Sequence, residues 1–295
     1  MRLSTSTNIM CFDEGKNYQV PAEVSVKACA GAGYKFLDAN LCAYIREGMP
    51  LTKEDWESWS HSLRKLGDSL GVRFTQSHGY FPRQACLDTH GSRLDPECDE
   101  YTRRSIIATK ILGADWMVLH PVLWPDSDGH ADHKNCFRYN RDFFSKWGEF
   151  ASCRNVGIAV ENMINPVGGK IHYCVFAEEL IELVDTLNDP MLKICIDTGH
   201  THLSRISVPN YILTVGDRLR ATHIADNHQN IDEHFAPFQG TIPWRDVMQA
   251  LKEIRYELDF AFEIHHLSSC YPAVVQSPLV NFSYTLGEYL LSLAQ

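Results

Sequence analysis

Four side chains of metal-ligand type each close a short apolar run in this chain of 295 residues. They are Glu161 in Gly157-Ile-Ala-Val-Glu-Asn162, Asp197 in Ile194-Cys-Ile-Asp-Thr-Gly-His200, His223 in Ala221-Thr-His-Ile-Ala-Asp226 and Glu263 in Phe260-Ala-Phe-Glu-Ile264. The intervals are 36, 26 and 40 residues, each room for one strand, one helix and two loops. Ligands on the ends of four successive strands converge on one point only if the strands run parallel and the sheet closes. The pattern therefore predicts a metal site at the C-terminal mouth of a β/α barrel.

The rest of the chain supplies the other units. Strands are expected over Leu3–Met10, Lys35–Leu41 with Asp38 inside it, Val72–Ser77 leading to His78, and Trp116–Leu119 leading to His120. The ligand-bearing strands are Val156–Val160, Lys193–Ile196, Leu219–Thr222 and Leu258–Phe262. Helices are expected over Glu23–Ala32, Thr52–Leu70 with a Thr cap, Asp95-Pro96 to Leu112, Asn140–Arg154, Val175–Leu187, Pro209–Gly216, Pro243–Glu253 and Leu279–Ala294. Gly71 and Gly113 stand where left-handed caps would end two of them. Strict strand–helix alternation through eight units gives an α/β chain, a (β/α)8 TIM barrel, with residues 1–295 as one domain. The long segments 122–139, 164–174 and 227–242 all follow strands, the side on which such barrels carry their active sites.

Composition narrows the functions. The formal charge of −10 and the absence of a Lys/Arg cluster larger than the doublets Arg64-Lys65 and Arg103-Arg104 argue against binding nucleic acid, which needs several cationic phosphate contacts. Ten cysteines without a Cys-x-x-Cys pair read as free thiols of a reducing compartment. No apolar run has transmembrane length, and the first residues lack the apolar core of a signal peptide. The expectation is a cytoplasmic protein with no membrane partner, acting alone or as a homo-oligomer.

Three carboxylates and one imidazole suit a hard or borderline divalent ion, Mn²⁺ first, with Mg²⁺, Co²⁺ or Zn²⁺ as alternatives. More donors stand at equivalent strand ends and in the loop after strand seven: His78, His120, His200, Asp232 and His234. They could bind substrate or hold a second or third ion. Trp124 and Phe235 are candidate walls for the substrate, as is Phe12, and Gly168-Gly169-Lys170 is a weak candidate for a phosphate contact.

Together, Glu161-Asn162, Asp197-Thr-Gly-His200, His223-Ile-Ala-Asp226, Asp232-Glu-His234 with Pro237–Gly240, Ile242-Pro-Trp244 and Phe262-Glu263 make the chain resemble the xylose-isomerase-like barrel superfamily over essentially its whole length. That group holds sugar isomerases, sugar epimerases and zinc apurinic endonucleases. In the epimerase branch, the resemblance implies one divalent ion on Glu161, Asp197, His223 and Glu263, with both glutamates moving protons and His200 touching substrate. In the endonuclease branch, the resemblance implies that all nine positions can bind zinc. Two positions depart from the ketose 3-epimerases: Gln229 stands where they carry an arginine, and Val167 where they carry a second glutamate. The expected function is a metal-dependent isomerase or epimerase of a sugar, sugar derivative or sugar phosphate, in carbohydrate metabolism. Glu161 and Glu263 act as catalytic bases on either side of the substrate, and His78, His120, His200, His234 and Trp124 contact it. A metal-dependent dehydratase or lyase on the same barrel, or a zinc apurinic endonuclease, is the alternative.

Overall fold

The computed structural model describes residues 1–10, 20–81, 96–165, 169–269 and 271–294. Phe12, Asp95, Val167 and Gly168, singled out above, lie outside the described residues. Eight strands form one parallel sheet: β1 (Arg2–Ser6), β2 (Phe36–Asn40), β3 (Arg73–His78), β4 (Trp116–Leu119), β5 (Gly157–Glu161), β6 (Leu192–Asp197), β7 (Leu219–His223) and β8 (Asp259–Phe262). Consecutive strands pair from β1 through β7, and β1 also pairs with β8. A parallel bridge between Ile224 and Phe262 joins β7 to β8 and closes the ring. There the Ile224 N–H donates to Ala261 O at 2.8 Å and the Glu263 N–H to Ile224 O at 3.0 Å. This is the (β/α)8 barrel, and closure sets the His223 strand end beside Glu263.

The helices are α1 (Ala22–Ala32), α2 (Trp56–Leu70), α3 (Pro96–Leu112), α4 (His133–Ser152), α5 (Ala177–Leu187), α6 (Thr198–Leu203), α7 (Val208–Val215), α8 (Trp244–Glu253), α9 (His266–Ser269) and α10 (Ala273–Ser292). Alternation along the strands divides the core. Ile158, Val160, Ile194 and Ile196 belong to the layer between sheet and helices, whereas Val118, Ala159, Cys195 and Ala221 form a separate plug with Trp116 packed against it. The plug fills the barrel interior below the mouth, so side chains two residues further along each strand stand on a solid floor. Gly71 and Gly113 end α2 and α3 with φ of +68° and +84°, a conformation that costs a residue with a Cβ.

Several boundaries differ from expectation, each for a local reason. The first strand stops at Ser6, and Thr7–Met10 turns into a 3₁₀ helix. Helix α2 starts at Trp56, because the Thr52 hydroxyl is already donating to Met49 O at 2.8 Å in a 3₁₀ turn over Pro50–Thr52. Helix α4 starts seven residues before Asn140, since the Asp132 carboxylate accepts from the Asn135 N–H at 3.1 Å and caps it. Thus the second half of the segment 122–139 is helix. Helix α10 starts at Ala273 and carries Pro278 within it. Helix α6 was not foreseen at all.

Candidate metal centre

Helix α6 begins inside the sequence Asp197-Thr-Gly-His200 and explains that spacing. Asp197 ends β6 and is also the N-cap: its Oδ1 accepts the His200 N–H at 2.7 Å. Thr198 Oγ1 donates to Ala225 O at 2.8 Å and accepts the Ala225 N–H at 3.0 Å, tying the turn to the strand end of β7. Asn162 accepts the Asp197 N–H at 2.7 Å and locks the ends of β5 and β6 together. One short helix therefore presents Asp197 and His200 to the same space.

All four strand-end ligands are buried, Glu161, Asp197 and His223 completely and Glu263 to 4% exposure. One donor atom from each lies within 4.8 Å of the others. His223 Nδ1 is 2.8 Å from Glu161 Oε1 and 3.5 Å from Glu263 Oε2. On the far side, Glu161 Oε2 is 3.0 Å from His120 Nε2 and 3.4 Å from His78 Nε2. His200 Nε2 and His234 Nε2 share Asp232 Oδ2, at 3.5 and 3.0 Å. His200 Nε2 also lies 3.9 Å from Asp197 Oδ2, so the nine residues make one contiguous network.

Sequence reasoning missed two members. His265 lies 3.4 Å by its Nε2 from Glu263 Oε1 and stacks on His234, with ring centres 4.6 Å apart. The period of two in Glu263-Ile-His265 was the available signal. Asp38, inside β2, accepts from Gln76 Nε2 at 3.1 Å and meets His223 Nε2 at 3.2 Å. An acidic residue in mid-strand between apolar neighbours was the signal there, since such a group needs a partner.

Above the floor opens a cavity of about 270 Å³. His78, His120, Glu161, His200, Asp232, His234, Glu263 and His265 line its lower wall; Ile45, Arg46, Tyr80 and Phe81 line the upper part. Phe81 stacks on His120 at 4.8 Å. Asp197 and His223 lie beneath the lining. Trp124 is not in this wall: it packs on Tyr139 of α4, at 5.9 Å, because α4 starts early enough to cover it. Phe235 is likewise outside the wall, pairing through its backbone with Asp226. Gln229 faces His202, with Nε2 3.3 Å from Nδ1, and does not enter the cavity. Lys170 donates to Asp128 O, which ties its ammonium to a neighbouring loop.

The electrostatics follow from crowding. Burial alone would lower the imidazoles of His200 and His223; the carboxylates of Asp197 and Asp232, and of Glu161 and Glu263, more than offset it and hold both well above the ordinary value. Burial likewise opposes ionisation of Glu161 and Glu263, yet His223 beside both, with His120 and His265, holds them well below the carboxylate range. Asp197 goes the other way. Burial, with the charges of Glu161, Glu263 and Asp232, pushes it up to about 7 against the pull of His200.

Whether these residues suit a cation is tested by their oxygens. Asp197 Oδ2 is buried and accepts no hydrogen bond, and Glu161 Oε2, buried as well, meets only the imidazole nitrogens of His120 and His78. Such groups cost free energy unless a positive centre meets them. Three carboxylates and an imidazole nitrogen with lone pairs converging on one point fit a divalent ion.

A family model described as xylose isomerase-like TIM barrel matches residues 26–274. The uncharacterized protein y4fM of Sinorhizobium fredii is 29% identical over 189 residues, 63% of this chain and 55% of that protein. The D-psicose 3-epimerase of Enterocloster bolteae is 31% identical over 238 residues, 76% of this chain and 70% of that enzyme. This chain thus spans little more than half of the first relative and about two thirds of the second. Among solved structures, the IOLI protein with a bound zinc atom superposes with a TM-score of 0.76 at 16% identity, covering 99% of this chain and 98% of that one.

Proposed function

The chain belongs to the xylose isomerase-like TIM-barrel family, and we propose that it is a divalent-metal-dependent epimerase or isomerase of a small sugar or sugar derivative. The observation that carries this reading is the buried cluster of Glu161, Asp197, His223 and Glu263, open on one side to a cavity of monosaccharide scale. The 31% identity to a D-psicose 3-epimerase supports the substrate class.

Glu161, Asp197, His223 and Glu263 would hold the ion. When bound, a divalent ion polarises a carbonyl and its neighbouring hydroxyl, which makes the hydrogen between them acidic. Glu161 and Glu263 reach the cavity from either side of His223. Both are held ionised, so each can take a proton from carbon or return one. Removal on one face and return on the other inverts a stereocentre; return to the neighbouring carbon converts a ketose into an aldose. His200 and His234, braced by Asp232, can hold substrate hydroxyls. Phe81 and Ile45 shield the upper cavity from water, which strengthens each of these contacts.

The test uses ketoses, inositol derivatives and sugar phosphates in deuterated water with Mn²⁺. A turned-over substrate should carry deuterium on the carbon beside the carbonyl, and Glu263→Gln should lose at least about 10²-fold in turnover, the scale of one acid–base contribution. Complete turnover without deuterium would replace proton transfer by a hydride shift. A second reading rests on the full ring: His78 and His120 beside Glu161, and His200 and His234 around Asp232, leave donors for further ions, the inventory of the zinc apurinic endonucleases. The charge of −10 weighs against that reading. Efficient incision of abasic duplex DNA by the zinc-loaded protein would reverse the order.

A further inference from the structure

The histidines of the mouth are not held alike. His78 donates its Nδ1–H to Gly79 O at 3.0 Å, His200 to Asn162 O at 2.8 Å and His234 to Glu263 O at 2.8 Å. A carbonyl can only accept, so each of these rings carries its hydrogen on Nδ1 and turns Nε2 toward the network. His223 is reversed. Its Nδ1 enters the four-residue cluster, and its Nε2 points back into the barrel at Asp38 Oδ2, 3.2 Å away. It is thus braced by a side-chain carboxylate where those three are braced by backbone.

That carboxylate is poorly suited to a purely structural role. Asp38 is 1% exposed, and its Oδ1 accepts no hydrogen bond. Its Oδ2 takes one bond from Gln76, whose amide also reaches Thr222 O at 3.2 Å. A neutral acceptor would serve Gln76 equally well, without a half-satisfied charge in the barrel interior. The register between β2 and β3 shifts at Leu37/Asp38, an irregularity that re-aims a strand side chain. Asp38 is carried by that shift into line with His223.

We infer that Asp38 is a positioning residue for the metal centre: by accepting the Nε2–H of His223 it fixes the ring so that Nδ1, which faces Glu161 and Glu263, is the nitrogen that gives up its proton to an incoming ion. A ring so held has one orientation and a more basic inward nitrogen, since its hydrogen is drawn toward a negative charge. The inference rests on the metal-centre reading above and adds a residue that touches neither ion nor substrate. Removing such an outer partner weakens metal binding by about 10–100-fold.

The experiment reads Zn²⁺ affinity of the full chain by competition with a chromophoric chelator, with no substrate present. Asp38→Ala should bind Zn²⁺ 10–100-fold more weakly than wild type, and Asp38→Asn, which keeps an acceptor but not the charge, should fall between. Thermal unfolding of the metal-free variants serves as the control for folding. Should the variants fail to fold, the wild type decides by itself: ¹⁵N spectra of the zinc-loaded protein should show His223 with a protonated Nε2 and a metal-bound Nδ1. Equal affinity of wild type and a folded Asp38→Ala, or a zinc-bound Nε2, overturns the assignment of Asp38 and leaves the metal centre standing. A wild type that binds no Zn²⁺ overturns both.

Discussion

Asp197 and Asp226 are both completely buried aspartates at the ends of neighbouring strands, and they could hardly be treated more differently. Asp226 accepts four hydrogen bonds: Oδ1 from the Asn227 and Ile242 N–H groups at 2.9 and 3.1 Å, Oδ2 from the Phe238 N–H at 3.0 Å and the Trp244 indole at 2.8 Å. It clamps both ends of the loop that carries Asp232 and His234. Asp197 has one oxygen in a helix cap and the other, Oδ2, without a donor, among other carboxylates. The contrast separates two uses of a buried charge. A carboxylate saturated by N–H donors organises backbone, whereas one left short of donors is a place for a cation.

The sharpest way to break this comparison is the same isosteric change at both sites. Asp226→Asn places an amide –NH2 against two N–H groups, so two buried donors lose their acceptor; unfolding free energy should fall by about 2–6 kcal/mol. Asp197→Asn keeps the cap oxygen and removes a poorly paired charge. The metal-free protein should unfold at the same temperature or higher while Mn²⁺ affinity collapses. Denaturant titrations of both metal-free variants check this, and comparable losses at the two sites would erase the distinction. A milder version is Trp244→Phe, which deletes one of the four donors to Asp226 and should cost about 1.5–3 kcal/mol, the worth of a hydrogen bond to a charged group, without changing metal affinity.

The smallest effect comes from a third kind of acid, on the surface. Glu100, 39% exposed, is held down to about 2 by Arg103, with Arg104 adding to it. Because its folded value lies below the ordinary 4.5, its contribution is present above that pH and disappears as pH falls through about 2. Glu100→Gln should flatten acid unfolding slightly in that window, and added salt should remove the difference, since exposed pairs are screened. An effect that survives high salt would place Glu100 with the buried acids.

Much of this is legible in the sequence. Apolar runs ending in Glu161, Asp197, His223 and Glu263 can be read because a buried parallel strand must be apolar up to the point where it meets the mouth. Helix boundaries were less legible. Asp132 and Thr52 are both capping residues by type, yet one caps a helix and the other serves the preceding turn. Which use wins depends on where the neighbouring chain leaves an open N–H, as for Asp132, or an open carbonyl, as for Thr52. Trp124 was misplaced for a related reason, as an aromatic in an assumed loop has no visible partner until α4 is drawn back to His133.

The alternation of eight strands with helices, the barrel and the nine donors at its strand ends and loops are legible in the chain alone, because each depends on periodicity or residue type along one segment, though the short helices α6 and α9 are not. Only the tertiary structure decided which nitrogen of each histidine faces inward, that Asp38 and His265 join the network, and that Asp226 is satisfied while Asp197 is not. Those are relations between residues as far apart as Asp38 and His223, brought to 3.2 Å by closure of the ring. A hydrogen bond is defined by both partners, and one chain segment holds only one of them.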